Sequence, residues 1–194
     1  MKYLVMLVVF LVMTSGVYAD TIGIRAGYID YSGGGSEYND NGGFDSEITQ
    51  GGIFFKREYD NWWVRLGYDG FKTGNEFTEH LACPYEAVDL KQDVWNVTIA
   101  KVIKWAYVGI GLDYINHDRS FVELYPGYTN VVEVDNAIGY HVCLGIFKEL
   151  SSKWQGSLEI NYLSADTDVF VDGAYNHTEN VGNVGAYVGL EYRF

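Results

Sequence analysis

The chain has 194 residues, the length of one ordinary domain. With 17 Tyr, 23 Gly and only 2 Pro it suits pleated strands better than helices, in which glycine is costly. A formal net charge of −13 excludes nucleic acid as the main partner, because a phosphate backbone demands clustered Lys and Arg.

In chain order, the first segment is MKYLVMLVVFLVMTSGVYA, in which Lys2 precedes an apolar run from Leu4 to Met13 and then a small, polar stretch. That order predicts a secretory signal peptide over residues 1–19, cleaved after Ala19. Its apolar run falls well short of the ~20 residues that a membrane-spanning helix needs. Residues 20–194 are then the mature domain, and from Asp20 one pattern recurs. TIGIRAGYIDY (21–31) sets Ile22, Ile24, Ala26 and Tyr28 against Gly23, Arg25 and Gly27. ITQGGIFFKR (48–57) alternates less cleanly. WWVRLGYDGF (62–71) sets Trp62, Val64, Leu66 and Tyr68 against Arg65, Gly67 and Asp69. DVWNVTIAK (93–101) turns Trp95, Val97 and Ile99 away from Asn96 and Thr98, and AYVGIGLDY (106–114) opposes Val108, Ile110, Leu112 and Tyr114 to Gly109, Gly111 and Asp113. AIGYHVCLGIF (137–147) places His141 and Cys143 opposite Tyr140, Val142 and Leu144, and QGSLEINYL (155–163) places Glu159 opposite Leu158 and Ile160. The chain ends VGNVGAYVGLEYRF, with Val184, Ala186, Val188, Leu190 and Tyr192 on one face and Glu191 and Arg193 on the other.

Eight segments of period two, less clean in ITQGGIFFKR and DVWNVTIAK, are half-exposed strands. A soluble sandwich would also alternate, but the connections separate the two architectures. They are short at EYDN, VIKW and KELSSK, and long around 32–47, 73–91, 116–135 and 164–180. Short turns opposed to long loops are the layout of a transmembrane barrel. The aromatics sort the same way. Tyr59, Trp62, Trp63, Trp105, Trp154, Tyr192 and Phe194 gather at the short-turn ends, and Tyr28, Tyr31, Tyr68, Phe71, Tyr114 and Tyr162 at the long-loop ends. Two belts bracketing an aliphatic band are expected where aromatic rings sit at headgroup level. The fold predicted is all-β, an eight-stranded antiparallel up-and-down transmembrane β-barrel, with the apolar faces outward and the first strand beside the last.

The sequence resembles the small eight-stranded outer-membrane barrels of Gram-negative bacteria: the OmpA-type transmembrane domain and the OmpX/Ail-like and opacity-type proteins. The resemblance rests on AYVGLEYRF at the end of the chain, on strands of the YVGIGLDY and IGIRAGY type, and on the leader. It implies a cell outer-membrane location, a monomer, and contact with outer-membrane lipid and lipopolysaccharide. It also implies that Phe194, with Tyr192 and Leu190 before it, is read by the barrel-assembly machinery.

An eight-stranded barrel is just filled by its inward side chains. Those predicted here include Arg25, Arg65, Asp69, Asp113, His141, Glu159 and Glu191. Arg25, Arg65, Glu159 and Glu191 are expected at one height, with Arg25 and Glu191 on neighbouring strands. Charges survive burial only when paired, so an interior Arg–Glu network is expected, either as a plug or as the gate of a narrow water path.

No enzyme, metal or cofactor is expected. NHDRS (116–120) and YNHTE (175–179) place His117, Ser120, His177 and Thr178 in long loops without base–nucleophile spacing. DTDVFVD (166–172) lacks the Gly and distal Glu of a calcium loop. Cys83 belongs to a long loop and Cys143 to the lumen, further apart than the ~7 Å between Cα atoms that a disulfide tolerates, so no bridge is expected. The loops, with SGGGSEYNDNGGF, HLACPYEA and SFVELYPGY, carry an excess of acid. Loops on a rigid scaffold are where binding usually resides, which points to host or cell-surface ligands. Three function classes follow: a structural or surface-interaction protein, a narrow passive pore, or a lipid-modifying barrel enzyme.

Overall fold

A computed structural model describes residues 20–30, 47–75, 88–117, 120–125, 128–171, 173–180 and 182–194. The strands are β1 (Asp20–Asp30), β2 (Glu47–Tyr59), β3 (Trp62–Asn75), β4 (Val88–Ile103), β5 (Ala106–His117), β6 (Ser120–Tyr125), β7 (Tyr128–Val134), β8 (Ala137–Glu149), β9 (Trp154–Val171), β10 (Ala174–Asn180) and β11 (Asn183–Arg193). Eight of them close an antiparallel barrel in the order β1–β2–β3–β4–β5–β8–β9–β11, and β11 returns to β1. The seam runs in unbroken register from Thr21↔Arg193 to Asp30↔Val184. Beyond it, the Phe194 N–H donates to the Asp20 carbonyl at 3.1 Å. Closure leaves the barrel wall without an unpaired edge.

The period-two pattern becomes an inside-out protein. β8 and β11 alternate buried and exposed almost without interruption. The exposed set is the apolar one, including Ile22, Ile53, Ile110, Leu144, Ile160 and Val188, while Arg25, Arg65, Asp69, Asp113, His141, Glu159 and Glu191 are buried. The short turns follow local chemistry. Asp60 and Lys104, the first residues of two-residue turns, adopt φ of 50° and 60°. The β8–β9 turn is held by the Ser151 hydroxyl, which accepts from the Trp154 N–H at 3.1 Å.

Two differences from the sequence expectations stand out. Residues 116–135 and 164–180 are largely strand rather than loop. β9 runs past its last β8 partner, Ala165, to Val171. There β10 and β7 pair with its two sides, and β6 with β7, so a sheet of order β10–β9–β7–β6 stands above the rim. A strand that outgrows its barrel neighbours bares two rows of backbone N–H and C=O groups, and the flanking hairpins satisfy them. Second, Trp63 is not part of the outer belt. It faces inward, 3% exposed, edge-on to Tyr107 with ring centroids 5.1 Å apart. Trp62 is its outward neighbour, so parity rather than residue type decides the side. Tyr31 and Cys83 lie outside the described residues, and Cys143 is a buried free thiol.

Inward glycines make the lumen fit. A β-carbon on Gly145 would lie 2.2 Å from the Tyr107 ring, and one on Gly111 2.3 Å from the His141 ring. Each large inward side chain thus lies over a bare position on the adjacent strand.

Candidate functional site in the barrel lumen

All eight barrel strands contribute to one belt of polar side chains across the lumen. Each contributes because an inward-facing position carries a polar group; on β2 it is Gln50, which accepts from the Tyr187 hydroxyl at 2.6 Å. Arg25 of β1 donates from Nε to Asp69 Oδ1 of β3 at 2.8 Å, and its Nη2 donates to the other carboxylate oxygen. Its Nη1 reaches Glu159 Oε1 of β9 at 3.0 Å. Arg65 of β3 grips the same carboxylate with both terminal nitrogens, at 2.8 and 2.9 Å. The Tyr107 hydroxyl of β5 donates to Glu159 Oε2 at 2.7 Å, and Asn96 Nδ2 of β4 to Asp69 at 2.7 Å. Two guanidinium cations therefore face two carboxylates, with fork geometry on both pairs. Fork geometry is the arrangement in which a buried ion pair best offsets its desolvation. Aromatic faces complete the cage. The Arg25 guanidinium carbon lies 4.7 Å from the Tyr187 ring centre (β11), and that of Arg65 lies 5.2 Å from Trp63 and 5.6 Å from Phe54 (β2).

A second chain of hydrogen bonds extends the belt. Arg65 Nη2 donates weakly to the Thr98 hydroxyl at 3.5 Å, Thr98 lies 3.0 Å from His141 Nε2, and His141 Nδ1 lies 2.5 Å from Asp113. With the proton on Nδ1 toward Asp113, Nε2 accepts from the Thr98 hydroxyl. The order hydroxyl, imidazole, carboxylate is that of a nucleophile, base and orienting acid. Thr98 is 0% and His141 1% exposed, however, so no substrate carbonyl reaches the hydroxyl.

Glu191 is elsewhere. It stands opposite Gly23 rather than Arg25 on β1, nearer the short turns, and its carboxylate meets Lys56 of β2. Lys56 escaped the sequence reading because GGIFFKR alternates poorly; Phe54 and Lys56 both point inward, while the Phe55 between them is half-buried. Arg57 and Asp20 form a bidentate pair at the same mouth, 2.6 and 2.8 Å. Alternation alone does not mark Tyr107, Asn96, Thr98 and Tyr187 as partners of the charges. Their inward parity was legible, but their meeting with the charges was not.

Packed layers flank the belt. On the long-loop side Val94, Ile115, Ala137, Leu163 and Ala165 form a buried apolar cluster. On the short-turn side Trp63, Ala100, Tyr107 and Cys143 form another, with Val102 and Phe147 against it. Two of the cavities lined by described residues border the belt. One of about 80 Å³ opens near Lys56, Trp63, Arg65 and Glu191. The other, about 20 Å³, lies near Arg25, Asp69, Ile115 and Tyr187, with room for about one water. The charged belt lies between them.

His117 ends β5 opposite Gln92, and His177 lies on β10 opposite Val169. Their side chains fall outside the described residues. Thr178 donates to Asp168 at 2.7 Å.

No family model and no curated protein matches the sequence. Solved structures do match in fold. Neisserial surface protein A is 14% identical, with 91% of this chain and 97% of that one covered and a TM-score of 0.55. Outer membrane protein AlkL, solved by solid-state NMR in DMPC bilayers, is 11% identical, with 93% of each chain covered and a TM-score of 0.52. At such identities the likeness is one of fold: this chain folds as the small eight-stranded outer-membrane barrels do.

Proposed function

We propose that the protein is an exported, monomeric barrel of the outer membrane whose lumen is a plug and whose work is done at the long-loop end, in surface contact or envelope integrity. The inside-out surface supports the membrane reading. Soluble monomers rarely expose an apolar patch beyond a few hundred Å², and here apolar side chains face outward on every barrel strand. Phe194 is exposed at the seam, where the assembly machinery can read it with Tyr192 and Leu190. Residues 1–19 serve as the cleaved leader in this reading.

The observation that carries the plug is the stacking of the Arg25–Asp69–Glu159–Arg65 belt between two apolar clusters. A water path would have to cross both charge pairs and a layer of Val94, Ile115 and Leu163. The sheet β10–β9–β7–β6 offers a hydrogen-bonded platform at the other end, where lipopolysaccharide and host or cell-surface ligands are the partners in reach. The buried Thr98 makes an enzyme the least supported of the three classes.

Planar-bilayer conductance tests the reading, with Glu159→Ala measured alongside wild type. Silence in wild type is the expected result. Steady discrete openings that change with Glu159→Ala would replace the plug by a narrow pore.

A further inference from the structure

We infer that the outer rim at the short-turn end binds anionic phospholipid headgroups through an arc of four lysines, Lys101, Lys104, Lys148 and Lys153. The inference rests on the membrane reading above and adds a ligand to it. Lys101 lies on β4 opposite Trp62, on the outward face, with its ammonium 5.5 Å from that ring's centre. Lys104 occupies the β4–β5 turn beside Trp105, the most exposed indole of the barrel at 63%. Lys148 is exposed near the end of β8, opposite Gly156. Lys153, in the β8–β9 turn, lies 5.6 Å over the Tyr192 ring and donates to its hydroxyl at 3.2 Å, and Tyr192 in turn stacks edge-on with Trp154.

Charge distinguishes this arc from the rest of the mouth. The other cations there are neutralised: Lys56 by Glu191 and Glu58, Arg57 by Asp20, and Arg193 by Glu149 and Glu58. Among the described residues none of the four lysines has a carboxylate within ion-pair distance. The chain as a whole is strongly acidic, and segments 31–46 and 76–87 of its sequence hold six Asp or Glu and no Lys or Arg. Four uncompensated ammonium groups on a chain of net charge −13 are therefore a local feature and not an overflow of basic composition.

Depth selects the ligand. Indole rings settle at the headgroup level of a bilayer, and Trp62, Trp105 and Trp154 share the level of the lysines. Lysine stems lie along the apolar wall while the ammonium reaches the polar layer. What occupies that layer is a phosphodiester. A zwitterionic headgroup offsets the phosphate with its own ammonium, whereas a phosphatidylglycerol-type headgroup leaves a net anion for the arc to pair with.

The test measures relative lipid association at the barrel surface, using spin-labelled phosphatidylglycerol and spin-labelled phosphatidylcholine in vesicles that hold the folded protein. Wild type is expected to favour phosphatidylglycerol about fivefold, roughly what one lysine near a charged lipid surface supplies. The preference should fall to about onefold in 1 M salt and in the variant Lys101→Gln/Lys104→Gln/Lys148→Gln/Lys153→Gln. It should persist in Lys72→Gln/Lys91→Gln, at the opposite end. Heat-modifiable gel migration verifies that each variant is folded. A wild type that never reaches the folded, inserted form in vesicles overturns the membrane reading, and this inference with it. Insertion with no preference, or a preference lost only in the Lys72/Lys91 variant, overturns the lysine arc alone.

Discussion

Glu159 is the joint on which the belt's charges meet, and removing its charge tests the energetic account directly. In Glu159→Gln the carboxylate that accepts from Arg25, from both ends of Arg65 and from Tyr107 becomes neutral. Arg25 keeps Asp69. Arg65 keeps at most a neutral amide oxygen and the weak contact to Thr98 at 3.5 Å, and is left as a cation 5% exposed with no carboxylate among the described residues. Stripping one partner from a buried pair costs about 3–5 kcal/mol, so urea unfolding of the detergent-folded barrel, followed by tryptophan fluorescence, should show a loss in that range. The double variant Arg65→Met/Glu159→Met removes both charges and leaves the Arg25–Asp69 pair balanced. Its cost should be at least ~2 kcal/mol less than the sum of Arg65→Met and Glu159→Met made singly, the signature of direct coupling. Arg193→Ala, whose ion pairs at 3.3 and 3.6 Å lie at the half-exposed rim, should cost under ~1 kcal/mol. A Glu159→Gln loss below ~1 kcal/mol, or strictly additive single changes, would refute the claim that the belt is a desolvated network.

Four further outcomes follow from the wall and its turns. Gly111→Ala places a β-carbon 2.4 Å from the Val97 carbonyl oxygen, backbone that cannot swing away, and should destabilise by ~1–3 kcal/mol. Gly70→Ala, whose nearest contact is 3.5 Å, should be close to neutral in the same unfolding assay. Ile110→Arg, at a position 66% exposed on the outward face, should lose ~2–4 kcal/mol in vesicle refolding if that face meets the bilayer midplane. Asp60→Val should be less stable than Asp60→Gly by ~1–2 kcal/mol, because a φ of 50° penalises a β-branched side chain and not glycine; equal stabilities would dismiss turn strain.

What the sequence determined by itself was everything that depends on neighbours two residues apart. Alternation placed Arg25, Arg65, Asp69, Asp113, His141, Glu159 and Glu191 on the inner faces of six strands, and the spacing of turns and loops ordered all eight strands into a barrel. Where alternation faltered, at Phe54–Phe55–Lys56, the side of Lys56 was lost with it, and a belt-like composition put Trp63 on the wrong face. The upper part of β9 and its partner β10 read as loop because their polar residues masked the strands. Only the tertiary structure decided who meets whom. The stagger of each strand against the next is a property of closing the whole barrel, and two residues of stagger at the β1–β11 seam send Glu191 to Lys56 and leave Arg25 to Asp69 and Glu159. The same closure aligns bare glycines under Tyr107 and His141. Period two is a local consequence of the pleat; partner choice across the lumen is set by the circumference.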